Sequence, residues 1–352
     1  MDKLILVDGN SIANRAFYAL PLLNNAQGLH TNAVYGFTTM LLKLIEEEKP
    51  THFLVAFDAG KVTFRHMEYK DYKGKRAKTP PELSEQFPLI KELLDAFSIR
   101  RFELEGYEAD DIIGTLTRIA DEKQTPVVVV TGDKDMLQLA SEYVTVALTR
   151  KGISELERFG PEQIREKYGL TPAQITDLKG LMGDASDNIP GVPGIGEKTG
   201  LKLLHEFGTI ERLLAQLDNV SGKLKEKLET HAEDARFSKE LATIFREVPL
   251  ETNWDDLAYG GYDPQALSAM FRKLEFNSLL ERLDLPAEAA GGEEAAALTH
   301  RTISAEELAG WDRTKANYRS LYIEVTGENP HQGELVGIAL YDTASGEAVF
   351  IP

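Results

Sequence analysis

Apolar residues follow two rhythms in the first half of the chain. Leu4-Ile5-Leu6-Val7, His52 to Phe57 and Val127-Val128-Val129-Val130 are short unbroken runs, with no polar alternation. Such runs predict strands buried on both faces, as in a parallel sheet. Between them the apolar positions recur every three or four residues. Val34 to Glu48 (Phe37, Leu41, Leu42, Ile45), closed by Pro50, predicts a helix, as does Glu82 to Phe97. Ile112, Ile113 and Leu116 open another. Ser11 is the expected cap of the helix after the first strand. Tyr143 to Leu148 reads as a further strand, and Arg150 to Phe159 as a small hairpin around Lys151-Gly152. Alternating strands and helices predict an α/β fold, with a central, mostly parallel sheet and helices on both faces.

From Pro161 the pattern becomes almost wholly helical, with predicted helices over Glu211–Leu217, Lys223–His231, Asp234–Phe245 and Pro264–Leu283. The expected division is an α/β domain over 1–170 and a helical subdomain over 171–285. Residues 286–299, rich in Ala, Gly and Glu, read as a linker. Ser320–Thr326, Leu335–Tyr341 and Ala348–Ile351 read as three strands of a second unit over 300–352. Three strands make a poor independent domain, so the chain is expected to be a piece of a longer one.

Polar residues gather where the apolar runs end. Asp8, Asp58 and Asp133 each follow a predicted strand, and ligand sites of parallel sheets form outside those carboxyl ends. One such acid reads as a helix cap; three are hard to explain that way. Gly106-Tyr107-Glu108-Ala109-Asp110-Asp111 places three more acids on the first turn of a helix. Two like charges about 4 Å apart repel by roughly 4 kcal/mol at an effective dielectric of about 20. A helix N-terminus offsets only about 0.3–1 kcal/mol of that per acid. Divalent cations with oxygen ligands are the usual remedy. Taken alone, the hexapeptide reads equally well as two dipole-satisfying acids and a cap. Asp184 and Asp187 form another pair three residues apart.

Lys61 to Lys78 is locally basic, with Phe64, Tyr69 and Tyr72 interleaved, which suits single-stranded nucleic acid. Gly191 to Gly200 narrowly misses both a phosphate-binding P-loop and a dinucleotide fingerprint, and follows no predicted strand. What remains is a Gly-rich turn opening a helix, suited to a backbone phosphate.

The net charge of −18 over 352 residues excludes a general nucleic-acid coat, though not an enzyme with a local basic patch. The absence of cysteine excludes disulfides and thiolate metal sites. No apolar run is long enough to cross a membrane, and no signal peptide is evident. A cytoplasmic location, without membrane partners, is expected.

Together, Asp8-Gly9-Asn10, Phe57-Asp58-Ala59, Tyr72 to Arg76, Gly106 to Asp111, Thr131 to Asp135, Gly183 to Asn188 and Gly191 to Thr199 resemble the 5′-nuclease domain of bacterial DNA polymerase I, a member of the flap endonuclease family. The resemblance spans about residues 1–285. It implies a metal-dependent 5′–3′ exonuclease and flap endonuclease acting on DNA with a 5′ flap, nick or RNA primer. It implies two or more Mg2+ ions, with Mn2+ as an alternative, and a potassium ion at the Gly-rich turn. Asp8, Asp58, Glu108, Asp110 and Asp111 would hold one ion; Asp133, Asp135, Asp184 and Asp187 would serve the second. Lys73 and Arg76 would face the scissile phosphate. Residues 61–79 would form an arch over the 5′ strand, with Tyr72 stacking on a base. Arg15, Arg65, Gly191, Gly194, Gly196, Lys198 and Thr199 would contact DNA. A monomer continuing into a polymerase region is implied. The C-terminal piece resembles the start of an RNase-H-like 3′–5′ exonuclease. Ile323 and Val325 stand where proofreading enzymes carry acids, with Glu324 facing away, which implies a proofreading-dead module. The competing readings are a DNA-structure-binding module with structural cations, and a magnesium phosphatase.

Overall fold

A computed structural model describes residues 2–60, 62–150, 152, 155–285, 300–302, 320–325, 335–342 and 347–351. The chain divides after Pro286 into two units.

The first unit is built on a six-stranded sheet. Its strands are β1 (Leu4–Asp8), β2 (His52–Ala56), β3 (Arg100–Phe102), β4 (Val127–Thr131), β5 (Val144–Thr149) and β6 (Leu156–Phe159), in the order β3-β2-β1-β4-β5-β6. All neighbours are parallel except β5 and β6. The unbroken apolar runs have a direct cause: every residue of β1, β2 and β4 is buried, because both faces of the sheet are covered. Leu4, Leu6, Leu54, Val127 and Val129 pack into one core, and Ile5, Val7, Phe53, Val55, Val128 and Val130 into the other. The chain runs outward from β1 through β2 to β3, then returns to β4 on the far side of β1. Such a reversal opens a crevice at the carboxyl ends of β1 and β4.

Helices α1 (Gly9–Ala19), α2 (Asn32–Glu48), α3 (Phe64–Glu68), α4 (Pro81–Ser84), α5 (Gln86–Ala96) and α6 (Ala109–Glu122) fill the strand connections. Asp8, not Ser11, caps α1: its carboxylate accepts from Ser11 N at 3.0 Å, and Ser11 lies inside the helix. The helix expected over Glu82–Phe97 is two helices, broken at Glu85. Pro88 explains the break, since its ring opposes a helical carbonyl four residues earlier, at Ser84.

After β6 come α7 (Pro161–Tyr168), α8 (Gln174–Met182), α9 (Glu197–Phe207), α10 (Ile210–Ala215), α11 (Gly222–Thr230), α12 (Ala232–Ala242), α13 (Pro264–Lys273) and α14 (Asn277–Arg282). The single helix expected over Pro264–Leu283 is also two, separated where Glu275 takes a left-handed φ of 59°. Leu267, Met270 and Phe271 of α13 return to the sheet core beside α2 and α5.

The second unit holds β7 (His300–Thr302), β8 (Ser320–Val325), β9 (Leu335–Asp342) and β10 (Glu347–Ile351), in the order β7-β10-β9-β8. The short β7, paired parallel with β10, adds a fourth strand to the three expected. The expected linker at 286–299, and the side chains of Ile323, Glu324 and Val325, lie outside the described residues. No described helix is long and apolar enough to cross a membrane.

Leu6 is fully buried in the central strand, so Leu6→Ala should cost about 2–5 kcal/mol. The shift of the urea midpoint at constant m-value measures it.

Candidate active site

Three acids arrive on the sheet itself. Asp8 ends β1, Asp58 follows β2 and Asp133 follows β4, all at the crevice. Each is fixed by backbone or hydroxyl donors. Asp8 also accepts from Thr131 Oγ1 at 2.9 Å, Asp58 from Ala109 N at 2.8 Å, and Asp133 from Asp135 N at 2.9 Å. Two more come from the start of α6, where Glu108 is the cap residue and Asp110 the second residue of the helix. These five acids line one cleft of about 400 Å³, with Asn10, Ser11 and Asn14 of α1 along its wall.

Two cations face the acids. Lys73 Nζ lies 2.6 Å from Glu108 Oε1, and Arg76 pairs with Asp187. Lys73 has a left-handed φ of 54°, held by its N–H bonding to the Asp187 carbonyl at 2.8 Å. A non-glycine residue in that region costs of order 1–3 kcal/mol, so the surrounding bonds aim its side chain against a local preference.

Burial dominates the electrostatics. It pushes the Asp8 carboxyl up to about 7, with the nearby charges of Asp58 and Asp133 adding to the rise. Burial, then Asp8 and Asp133, raise Asp110 well above the usual carboxylate range. Asp58 is raised by burial in the same way, opposed by the bond from Ala109 and the charge of Lys73.

A second acid group lies beside the first. Lys179 of α8 joins Asp135, 2.5 Å away, to Asp184. Burial and Asp133 push Asp135 up to about 7 in spite of that cation. Burial would also raise Asp184, but bonds from Lys179 and Ser186 outweigh it and hold it down to about 2. Asp187 accepts from Arg76 and, at 3.4 Å, from the Tyr72 hydroxyl.

Several expected assignments are corrected by these contacts. Asp111 is fully buried, and Arg65 grips its two oxygens at 2.7 and 2.8 Å. The N–H groups of Glu108 and Phe245 take its remaining lone pairs, so it has none left for an ion. Arg65 is buried too and bonds the carbonyls of Leu241 and Thr243, which removes it from any DNA surface. Tyr72 is buried with its hydroxyl 3.1 Å from Glu108, so its ring is not free to stack on a base. Gly191 is also inside. Its N–H donates to Ser238 Oγ, and a Cβ there would stand 2.2 Å from Gly183 N.

Gly194, Gly196 and Lys198 remain exposed at the start of α9, with Thr199 half-buried. Arg15 Nε bonds the carbonyl of Gly152 at 3.3 Å. Among residues not singled out in the sequence, Asn10 and Asn14 carried a usable signal, being polar at helical spacing just after Asp8. Lys179 carried none, because its partner Asp135 lies in a distant segment.

Two family models cover residues 3–265 between them. The 5′–3′ exonuclease N-terminal resolvase-like domain matches 3–169, and the 5′–3′ exonuclease C-terminal SAM fold matches 170–265. This chain belongs to the 5′–3′ exonuclease family. DNA polymerase I of Bacillus caldotenax is 55% identical over 339 residues, covering 96% of this chain and 38% of the relative. DNA polymerase I of Bacillus subtilis is 53% identical over 355 residues, covering 99% and 39%. The chain therefore spans about two fifths of the length of these relatives. A solved T5 5′-exonuclease with bound divalent metal ions (zinc) aligns at a TM-score of 0.57 and 23% identity, over 78% of this chain and 98% of that one. The catalytic core of Rad2 in complex with DNA substrate aligns at 0.56 and 17%, over 80% and 92%. These two likenesses show the exonuclease-family fold.

The donor set fits divalent ions in its chemistry: it consists of oxygens only and its acids repel one another, although among the described residues no three of them already converge as an ion cage.

Two outcomes are expected. Asp8, Asp110 and Asp135 bind their protons more readily folded than unfolded. The folded state therefore holds extra protons between about pH 4 and 7, and metal-free stability falls as pH rises through that window. Calorimetry without metal should give a lower Tm at pH 8 than at pH 5.5, and added Mg2+ should raise Tm more at pH 8. Separately, Arg65→Met strands Asp111 as an unpaired buried charge and should cost about 3–5 kcal/mol in urea unfolding.

Proposed function

We propose that this chain hydrolyses DNA phosphodiesters at 5′ ends, cutting flaps and nicked duplexes and removing RNA primers. The carrying observation is the convergence of Asp8, Asp58 and Asp133 at the ends of three adjacent parallel strands, in one cleft with Glu108, Asp110, Lys73 and Arg76. Support for divalent ions also comes from the metal-bound T5 5′-exonuclease, and support for a DNA substrate from the Rad2 complex.

Asp8, Asp58, Glu108, Asp110 and Asp133 would hold Mg2+, with Asp135, Asp184 and Asp187 on the side of a second ion. Bound there, a pair of ions supplies charge to both the attacking and the leaving oxygen of an in-line displacement. The protein's own groups do the rest. Lys73 and Arg76 now rest on Glu108 and Asp187. An entering phosphate offers them a second anion, so they orient it and oppose the charge that grows on it. Arg65 and Tyr72 act behind them, keeping Glu108 in place through contacts of 3.3 and 3.1 Å. The open first turn of α9, with Lys198 and Thr199, suits a phosphate of the duplex backbone, while a potassium ion would take carbonyl oxygens of the Gly-rich turn before it. The products would be a 5′-phosphate and a 3′-hydroxyl. Binding should weaken with salt in proportion to the number of phosphates that Lys73, Arg76, Lys198 and neighbouring cations neutralise. A cytoplasmic monomer, continuing into a polymerase region as in its relatives, is the setting this implies.

The test is cleavage of a labelled 5′-flap duplex with Mg2+, with a chelator control. Lys73→Ala should lower kcat by about 10²–10³-fold while flap binding in Ca2+ is largely kept. Asp133→Ala should lose turnover to a similar or greater degree. Equal turnover in all three proteins would refute the site. Turnover and binding lost together would favour a binding module instead.

A further inference from the structure

Lys179 stands inside the second acid group without belonging to the expected ion ligands. Its ammonium contacts Asp135 Oδ1 at 2.5 Å and the Asp184 carboxylate, bridging the turn after β4 to the loop after α8. One cation shared by two acids from separate segments is the arrangement a divalent ion would itself make there. The contact is not sealed, because the Lys179 side chain keeps 17% of its surface open. A cleft of about 190 Å³ adjoins it, walled in part by Lys134, Tyr168, Met182 and Glu197. Glu197 is the first residue of α9 and has no cation partner among the described residues. Lysine is a compact charge on a flexible four-carbon stem, so its head can move between two anions while its stem stays packed.

Resting on the two-ion reading above, we propose that Lys179 is a displaceable resident cation, holding Asp135 and Asp184 together until the second divalent ion enters between them and then moving into the adjoining cleft against Glu197. The second ion then competes with a tethered charge held by two of its acids at once, whereas in the first cleft Lys73 rests on Glu108 alone and leaves Asp8, Asp58 and Asp110 without an ion pair among the described residues. The first ion binds more tightly for that reason. Displacement also carries a positive charge toward the start of α9, next to Lys198 and Thr199, so occupancy of the second position is felt at the turn suited to the duplex backbone.

Mn2+ titrated calorimetrically into the full chain tests this, with native circular dichroism as a check on each variant. Wild type should show a tight and a weaker class of site. Lys179→Met should tighten the weaker class by about tenfold or more, which is a change well within calorimetric resolution. Lys179→Arg keeps a charge in place and should leave that class weak. Glu197→Gln removes the receiving anion and should weaken it several-fold, without touching the acids themselves. A weaker class of equal affinity in wild type and Lys179→Met overturns the displacement and leaves the two-ion reading standing. An unchanged affinity in Glu197→Gln likewise overturns the relocation. Binding of only one Mn2+ by both wild type and Lys179→Met overturns the two-ion reading and this inference with it.

Discussion

Crowding of carboxylates in a low-dielectric crevice is the constraint around which the first unit is arranged. Asp8, Asp58, Glu108, Asp110 and Asp133 share one cleft, and burial alone drives several of them toward their neutral forms. Buried charge of one sign is tolerated only when opposite charge or hydrogen-bond donors stand close. The surrounding structure supplies them in grades. Asp111 is fully satisfied, by a two-pronged Arg65 and two backbone N–H groups. Glu108 is shared among Arg65, Tyr72 and Lys73. Asp110 lies at the other extreme: among the described residues it has no ion pair, and the charge of Lys73 only tempers the repulsion from Asp8 and Asp133. This gradient separates acids that hold the fold from acids left over for ions.

The same contacts tie the helical region to the sheet. Arg65 reaches the carbonyls of Leu241 and Thr243 just past α12, while Phe245 N reaches Asp111. Gln138 adds bonds to the carbonyl of Ala242 and the N–H of Ile244. The segment after α12 is thereby stitched to the base of α6, the helix that presents Glu108 and Asp110. Strain at Lys73 fits this picture, since a left-handed lysine persists only where neighbours over-determine it. Rigidity of the cleft and docking of the helices are thus one set of bonds.

Much of this was legible beforehand, and the exceptions have local causes. Three buried strands and the acids at their ends could be read directly, because full burial on two faces leaves no polar position until the strand stops. The first turn of α6 was readable from the helical spacing of Ile112, Ile113 and Leu116 behind it. Helix breaks were harder: Pro88 splits Glu82–Phe97 through a carbonyl four residues upstream, and Glu275 divides α13 from α14 with no proline or glycine to mark it. The three-residue β3 is too short to carry a pattern. In the basic stretch, Arg65 and Tyr72 look no different in sequence from Lys70 or Arg76, although two of these residues are buried and two are not.

The order of residues along the chain settled which side chains would stand at the mouth of the sheet, because strand burial and strand ends are properties of local pattern. It could not settle which of those side chains would be neutralised from within. Asp110 and Asp111 are adjacent and chemically alike, yet one opens on the cleft and the other is locked by an arginine from another element. That difference arises only when α3, α6 and the segment after α12 meet in space. Charge compensation depends on distance through the fold, and sequence neighbours one helical step apart can face entirely different surroundings.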